Sequence, residues 1–123
     1  RAEKGGTYQL CAYIKDHEEK EFFENMPGCR GVRWNPLFVD VIPENGGKGM
    51  GIKTMLDYLG FSKEEAMAFG DGGNDIEMLE FVKYGVAMGN SGENVKKSAA
   101  YVTDDVDSDG IYNALVRYNV LEK

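Results

Sequence analysis

No stretch of this chain is apolar over the roughly 20 residues that a helix needs to cross a bilayer, and nothing at its start reads as a signal peptide. Runs of Lys or Arg are missing as well. The basic residues stand singly or in pairs such as Lys96-Lys97, against a formal charge of −7. A polyanion would meet net repulsion, so nucleic acid is not an expected partner, and no membrane is expected either. Cysteine is scarce: Cys11 and Cys29 could in principle pair, but nothing else suggests a disulfide scaffold, and the plainer reading is two reduced thiols of a cytoplasmic protein. The lone His17 lies in a charged helical stretch and reads as a solvated residue rather than a base or metal ligand. What is present is 123 residues with 42% apolar side chains, enough for a core that stands alone.

The first third is strand-rich. TYQLCAYI from Thr7 reads as a strand, KDHEEKEFFENM as a charged helix ending before Pro27, and GVRW and LFVDVI as extended runs around the turn Asn35-Pro36. Together they predict strands plus one helix on an antiparallel sheet. After Pro43 the texture changes. PENGGKG is a loop, and a helix beginning near Met50 follows, with Ile52, Met55, Leu56 and Leu59 on one face and Gly60 as its stop. The chain then alternates: AMAFG strand, NDIEMLEFV helix, YGVAMG strand, ENVKKSAA helix, YVT strand, DGIYNALVRY helix. That alternation predicts βαβ units, a Rossmann-like parallel sheet with flanking helices. AMAF reads as a strand buried on both faces. The boundary between the two parts is placed near Pro43, giving 1–43 and 44–123.

The stretch AMAFGDGGNDIEMLEF concentrates polarity at the tip of an apolar strand. In open parallel sheets functional groups collect past the carboxyl ends of strands, where Asp71 falls. Gly72 and Gly73 let the backbone turn sharply, and Asn74 and Asp75 follow in the first turn of a helix, whose free N–H groups favour an anion. Any one of these side chains could be a helix cap. Three of them with two glycines point to a site, and a carboxylate in this place is a hard ligand suited to Mg²⁺. Lys48, entering a helix from ENGGKG, is placed to meet a phosphate oxygen as a point charge. Alone it would read as a surface lysine; its weight comes from a carboxylate-rich site that needs a cation to hold an anionic substrate.

Three other motifs fail. A dinucleotide fingerprint through Gly47 and Gly49 would need glycine at Ile52, and a phosphate-binding loop would need glycine at Ile42 and Ser or Thr at Gly49. DDVDSDG has calcium-loop spacing in Asp105, Asp107, Asp109 and Gly110, but the closing Glu is Val116. Ser108 or Asp109 is expected to cap the last helix instead.

Lys48 followed by GDGGND, with ML beyond the Asn, resembles the third and fourth motifs of haloacid dehalogenase-like phosphatases, in particular the Cof-type branch with a large α/β cap. The similarity runs on through YGVAMGNSGENVKKSAAYVTDDVDSDGI, and VRWNPLFVDVIPENGGKG is similar to the end of the cap and the return into the core. The resemblance implies that residues 1–43 are the end of an α+β cap and residues 44–123 the second half of the phosphatase core. It implies that Asp71 binds Mg²⁺ directly. Asn74 would bond substrate phosphate or a metal-bound water, and Asp75 would orient Lys48 and support the metal shell. Lys48 would neutralise the phosphoryl group and the attacking carboxylate, and Asn90 would lie in a loop near the metal. The implied substrate is a small phosphorylated metabolite such as a sugar phosphate, a choice set by the cap, to which Arg33 and Trp34 could contribute.

The family's nucleophile, the first Asp of D-x-D-x-[TV], is absent before residue 48. The chain is therefore expected to be the carboxyl-terminal fragment of such an enzyme, inactive alone, with the missing amino-terminal half of the same protein as its partner. The rival reading is a non-catalytic phosphatase-like module that binds Mg²⁺ or a phosphorylated ligand. A receiver-type domain is disfavoured, because its acidic cluster should follow the first strand.

Overall fold

Alternating apolar patterning and short polar turns shape both halves of the chain. The structure, a computed structural model, describes residues 6–122. The chain divides between Gly47 and Lys48 into two units.

The first unit contains β1 (Leu10–Ala12), α1 (Glu19–Glu24), β2 (Cys29–Asn35) and β3 (Phe38–Pro43), with a 3₁₀ turn over Asp16–Glu18 before α1. Its antiparallel sheet has the order β1-β3-β2. Val39 and Val41 alternate with Asp40 along β3. Val39 lies fully buried on the side where Phe23 of α1 packs over Gly31. The strand predicted from Thr7 shrinks to three residues, because only Leu10, Cys11 and Ala12 find partners, on Val41, Asp40 and Val39. Arg33 is spent on structure: its guanidinium pairs with Glu19 and donates to the carbonyls of Ile14 (2.7 Å), Asn35 (3.1 Å) and Phe38 (3.1 Å). The Trp34 indole N–H donates to the Asp40 carboxylate at 2.8 Å, and its ring stands edge-on to Phe38.

The second unit contains α2 (Lys48–Leu59), β4 (Met67–Gly70), α3 (Ile76–Phe81), β5 (Tyr84–Ala87), α4 (Glu93–Ser98), β6 (Tyr101–Val102) and α5 (Gly110–Arg117). Its sheet is parallel, in the order β4-β5-β6, flanked by helices, as the alternation requires. Leu79, Ala87 and Val95 form its core, with Ile76, Met78 and Ala99 against them. Parallel strands leave all their carboxyl ends on one edge, so the loops after β4 and β5 emerge side by side.

Four expectations need correction. AMAF is not buried on both faces: Ala68 and Gly70 are buried but Met67 and Phe69 only half so, because β4 is an edge strand among the described residues. Helix α2 begins at Lys48 rather than near Met50. On α2 the buried residue is Gly49, and Ile52 and Leu56 are half-buried, whereas Met55 and Leu59 are exposed. The inner edge of α2 packs on α3, and that contact covers only part of the apolar stripe. Asp109 stands at the start of α5 in a left-handed conformation (φ 55°), but neither it nor Ser108 caps the helix with its side chain. The Asp109 carbonyl accepts from the Asn113 N–H at 2.9 Å instead. No helix among the described residues is long and apolar enough to cross a membrane.

Candidate active site at the carboxyl edge of the parallel sheet

The loop that leaves β4 is held by one side chain. Asp75 directly precedes α3 and is 5% exposed, yet its carboxylate does not cap that helix. It turns back instead, and Oδ2 accepts the backbone N–H of Asp71 and of Gly72, each at 3.0 Å. Oδ1 accepts the Lys48 ammonium from the first residue of α2. One carboxylate thus ties the strand-end loop to the helix start, and Lys48 and the Asp71 loop meet on it.

Glycine at position 70 makes this possible. A Cβ on Gly70 would lie 2.5 Å from the Cβ of Asp75, so the strand must end in glycine for the carboxylate to tuck beneath it. A Cβ on Gly72 would lie 2.7 Å from Oδ1 of Asn74, whose half-buried side chain folds back over the turn. Sequence reading passed over Gly70, although a glycine directly before the loop Asp was a visible signal of close approach.

Burial pushes the Asp75 carboxyl up. The hydrogen bond from Lys48, the N–H groups of Gly72 and Asp71, and the Lys48 charge outweigh it, and the group sits below the ordinary aspartate value of 3.8. Asp75 is therefore ionised at neutral pH and its charge is matched by Lys48, itself about half exposed. That leaves Asp71, exposed at the strand end, as the carboxylate whose charge is not offset within this cluster.

Asn90 leaves the neighbouring strand end, three residues past β5, and so lies on the same edge. Its Oδ1 accepts the N–H of Val106 at 3.1 Å, which ties the β5 loop to the segment before α5. The structure thus brings Lys48, Asp75 and the Asp71–Asn74 loop into one cluster and places Asn90 in the adjacent loop.

A Mg²⁺ ion takes one or two carboxylates and completes its octahedron with water and phosphate oxygens. Asp71 fits one such ligand, since it is an exposed hard oxygen donor beside a charge-neutral Lys48–Asp75 pair. Among the described residues no group of three His, Cys, Asp or Glu side chains could hold a metal. The cluster suits a contributing ligand and not a closed protein cage.

A haloacid dehalogenase-like hydrolase family profile matches residues 3–115. The chain is 42% identical over 115 residues to the YkrA protein of Bacillus subtilis (strain 168), covering 94% of this chain and 44% of that one. Among solved structures it is similar to the subclass IIB sugar phosphatase BT4131, with a TM-score of 0.86 and 41% identity, over 98% of this chain and 46% of that one. BT1666 from Bacteroides thetaiotaomicron gives a TM-score of 0.90 at 41% identity, over 97% and 44%. The chain spans less than half the length of each of these relatives.

Proposed function

The chain belongs to the haloacid dehalogenase-like hydrolase family, and from that premise we propose that it is the carboxyl-terminal part of a Mg²⁺-dependent phosphatase acting on small phosphorylated metabolites. The observation that carries this reading is the Asp75 carboxylate, which accepts the Lys48 ammonium on one oxygen and the Asp71 and Gly72 N–H groups on the other. It fixes a cation beside an outward carboxylate at the edge where parallel sheets carry their chemistry.

In this reading Lys48 offers its ammonium to the phosphoryl oxygens and to the attacking carboxylate, and Asp75 orients it. Asn74 bonds phosphate or a metal-bound water. Asp71 holds the metal directly, with Asp75 behind it. Bound Mg²⁺ would supply electrostatic stabilisation of the charge that develops on the phosphoryl group. The nucleophile is an aspartate of the amino-terminal half of the same protein. It would attack phosphorus and displace the substrate's alkoxide, which takes a proton from a general acid of that same half, giving an aspartyl-phosphate that water hydrolyses to the free carboxylate and inorganic phosphate. Residues 1–43 are read as the end of the cap and residues 44–123 as the second half of the core. The relation to the sugar phosphatase BT4131 supports a sugar phosphate or a similar small phosphoester as substrate. The free thiols of Cys11 and Cys29 suit a reducing cytoplasm.

The experiment is turnover of p-nitrophenyl phosphate with Mg²⁺ by the parent protein and by its Lys48→Ala variant. Removing one preorganised electrostatic contact typically lowers the rate on the order of 10²–10³-fold. A variant as active as the parent would remove Lys48 from the chemistry.

A further inference from the structure

Helix α2 carries two glycines in its first turn, Gly49 and Gly51, although glycine costs a helix conformational entropy relative to alanine. Their surroundings differ. A Cβ on Gly51 would meet nothing within 4 Å. One on Gly49, which is buried, would lie 3.3 Å from the carbonyl oxygen of Glu77 and 3.5 Å from its carbonyl carbon.

Gly49 follows Lys48, and Glu77 lies two residues after Asp75. The backbone contact and the Lys48–Asp75 pair therefore bridge the same gap between α2 and α3, side by side. The acceptor of that pair is fixed: Asp75 is held by two backbone N–H groups and packed beneath Gly70. The donor sits on a flexible stem and is half exposed, so the start of α2 sets the limit of what its ammonium can reach.

We propose that Gly49 is a positioning residue of the site: its missing side chain lets α2 close onto α3 at Glu77 and so sets the Lys48 ammonium on Asp75. A methyl group at 49 forces the Glu77 carbonyl to give by a few tenths of an ångström, and a larger side chain wedges the first turn further away. The bearing on catalysis rests on the phosphatase reading; the geometric claim does not, and its test needs no turnover.

The test is ¹H–¹⁵N spectroscopy of the lysine ammonium groups in the chain itself and in its Gly49→Ala, Gly49→Leu and Gly51→Ala variants. A paired ammonium exchanges slowly enough with water to be observed, and Lys48→Arg identifies the resonance by its loss. The Lys48 signal is expected in the unsubstituted chain and unchanged in Gly51→Ala, weakened in Gly49→Ala, and lost in Gly49→Leu while thermal unfolding stays cooperative. An unchanged signal in a folded Gly49→Leu variant overturns the proposal, as does equal loss in Gly51→Ala or absence from the unsubstituted chain. Should Gly49→Leu fail to fold, crystal structures of Gly49→Ala and Gly51→Ala decide. A first turn of α2 displaced from Glu77 only in Gly49→Ala supports the role, and superimposable helices refute it. Failure here with a catalytically essential Lys48 would leave the phosphatase reading intact; success with a dispensable Lys48 would do the reverse.

Discussion

Asp75 concentrates most of the physical chemistry of the candidate site in one side chain. Its two oxygens accept one ammonium and two backbone N–H groups, all of them donors, so an amide at this position presents its own N–H₂ to a donor. Asp75→Asn is expected to lower unfolding free energy at neutral pH by about 1–3 kcal/mol, the usual cost of breaking a buried charged hydrogen-bond set, as read by urea denaturation. The pH dependence has a definite sign. The folded-state carboxyl lies below 3.8, so the unfolded chain takes up a proton first as pH falls. The stabilisation is complete above pH 3.8 and is lost on the way down through the folded-state value. The stability gap between the unsubstituted chain and Asp75→Asn should therefore hold constant above that pH and shrink below it. Lys48→Met removes a leading cause of the lowering while burial remains. Its acid-induced loss of stability should begin at higher pH than in the unsubstituted chain, which acid titrations followed by circular dichroism would show.

At the scale of elements, the site depends on α3 lying flat against β4 and β5. A Cβ on Gly85 would come within 2.2 Å of the Leu79 carbonyl oxygen, a backbone atom that cannot rotate aside. Gly85→Ala is expected to destabilise by at least the ~1–3 kcal/mol of an overpacked core. Gly51→Ala, with open space around it, should stabilise by up to about 1 kcal/mol; thermal melts of the pair give both signs. The alternation of strands and helices after Pro43 was legible because β4 and β5 lie in short apolar runs that end in glycine, AMAFG and YGVAMG. Lys48 and GDGGND could likewise be singled out, from residue type and loop position. Other features depend on packing that no local pattern encodes. The three-residue length of β1 is set by its pairing with β3, and the exposure of Met55 and Leu59 by how much of α2 meets α3. By residue type alone Asp75 could have been a helix cap, and its role in orienting Lys48 was implied only by the family resemblance; the backward turn onto Asp71 and Lys48 requires a glycine at position 70, whose effect appears only in three dimensions.

At the scale of the molecule, the chain spans 44% to 46% of the relatives described above, and its candidate site consists of a lysine paired with a buried carboxylate beside an exposed one; in the proposed reading the nucleophile comes from the amino-terminal half. Purified alone, it is expected to give no turnover of p-nitrophenyl phosphate with Mg²⁺. Robust hydrolysis by the pure chain would mean that the reaction needs nothing from an amino-terminal half. The most direct measurement is the turnover of the parent protein carrying Asp71→Ala, relative to the unsubstituted parent, at saturating Mg²⁺. A loss of at least about 10²-fold is expected if this carboxylate holds the ion that stabilises the transferring phosphoryl group; activity near that of the unsubstituted protein would contradict it.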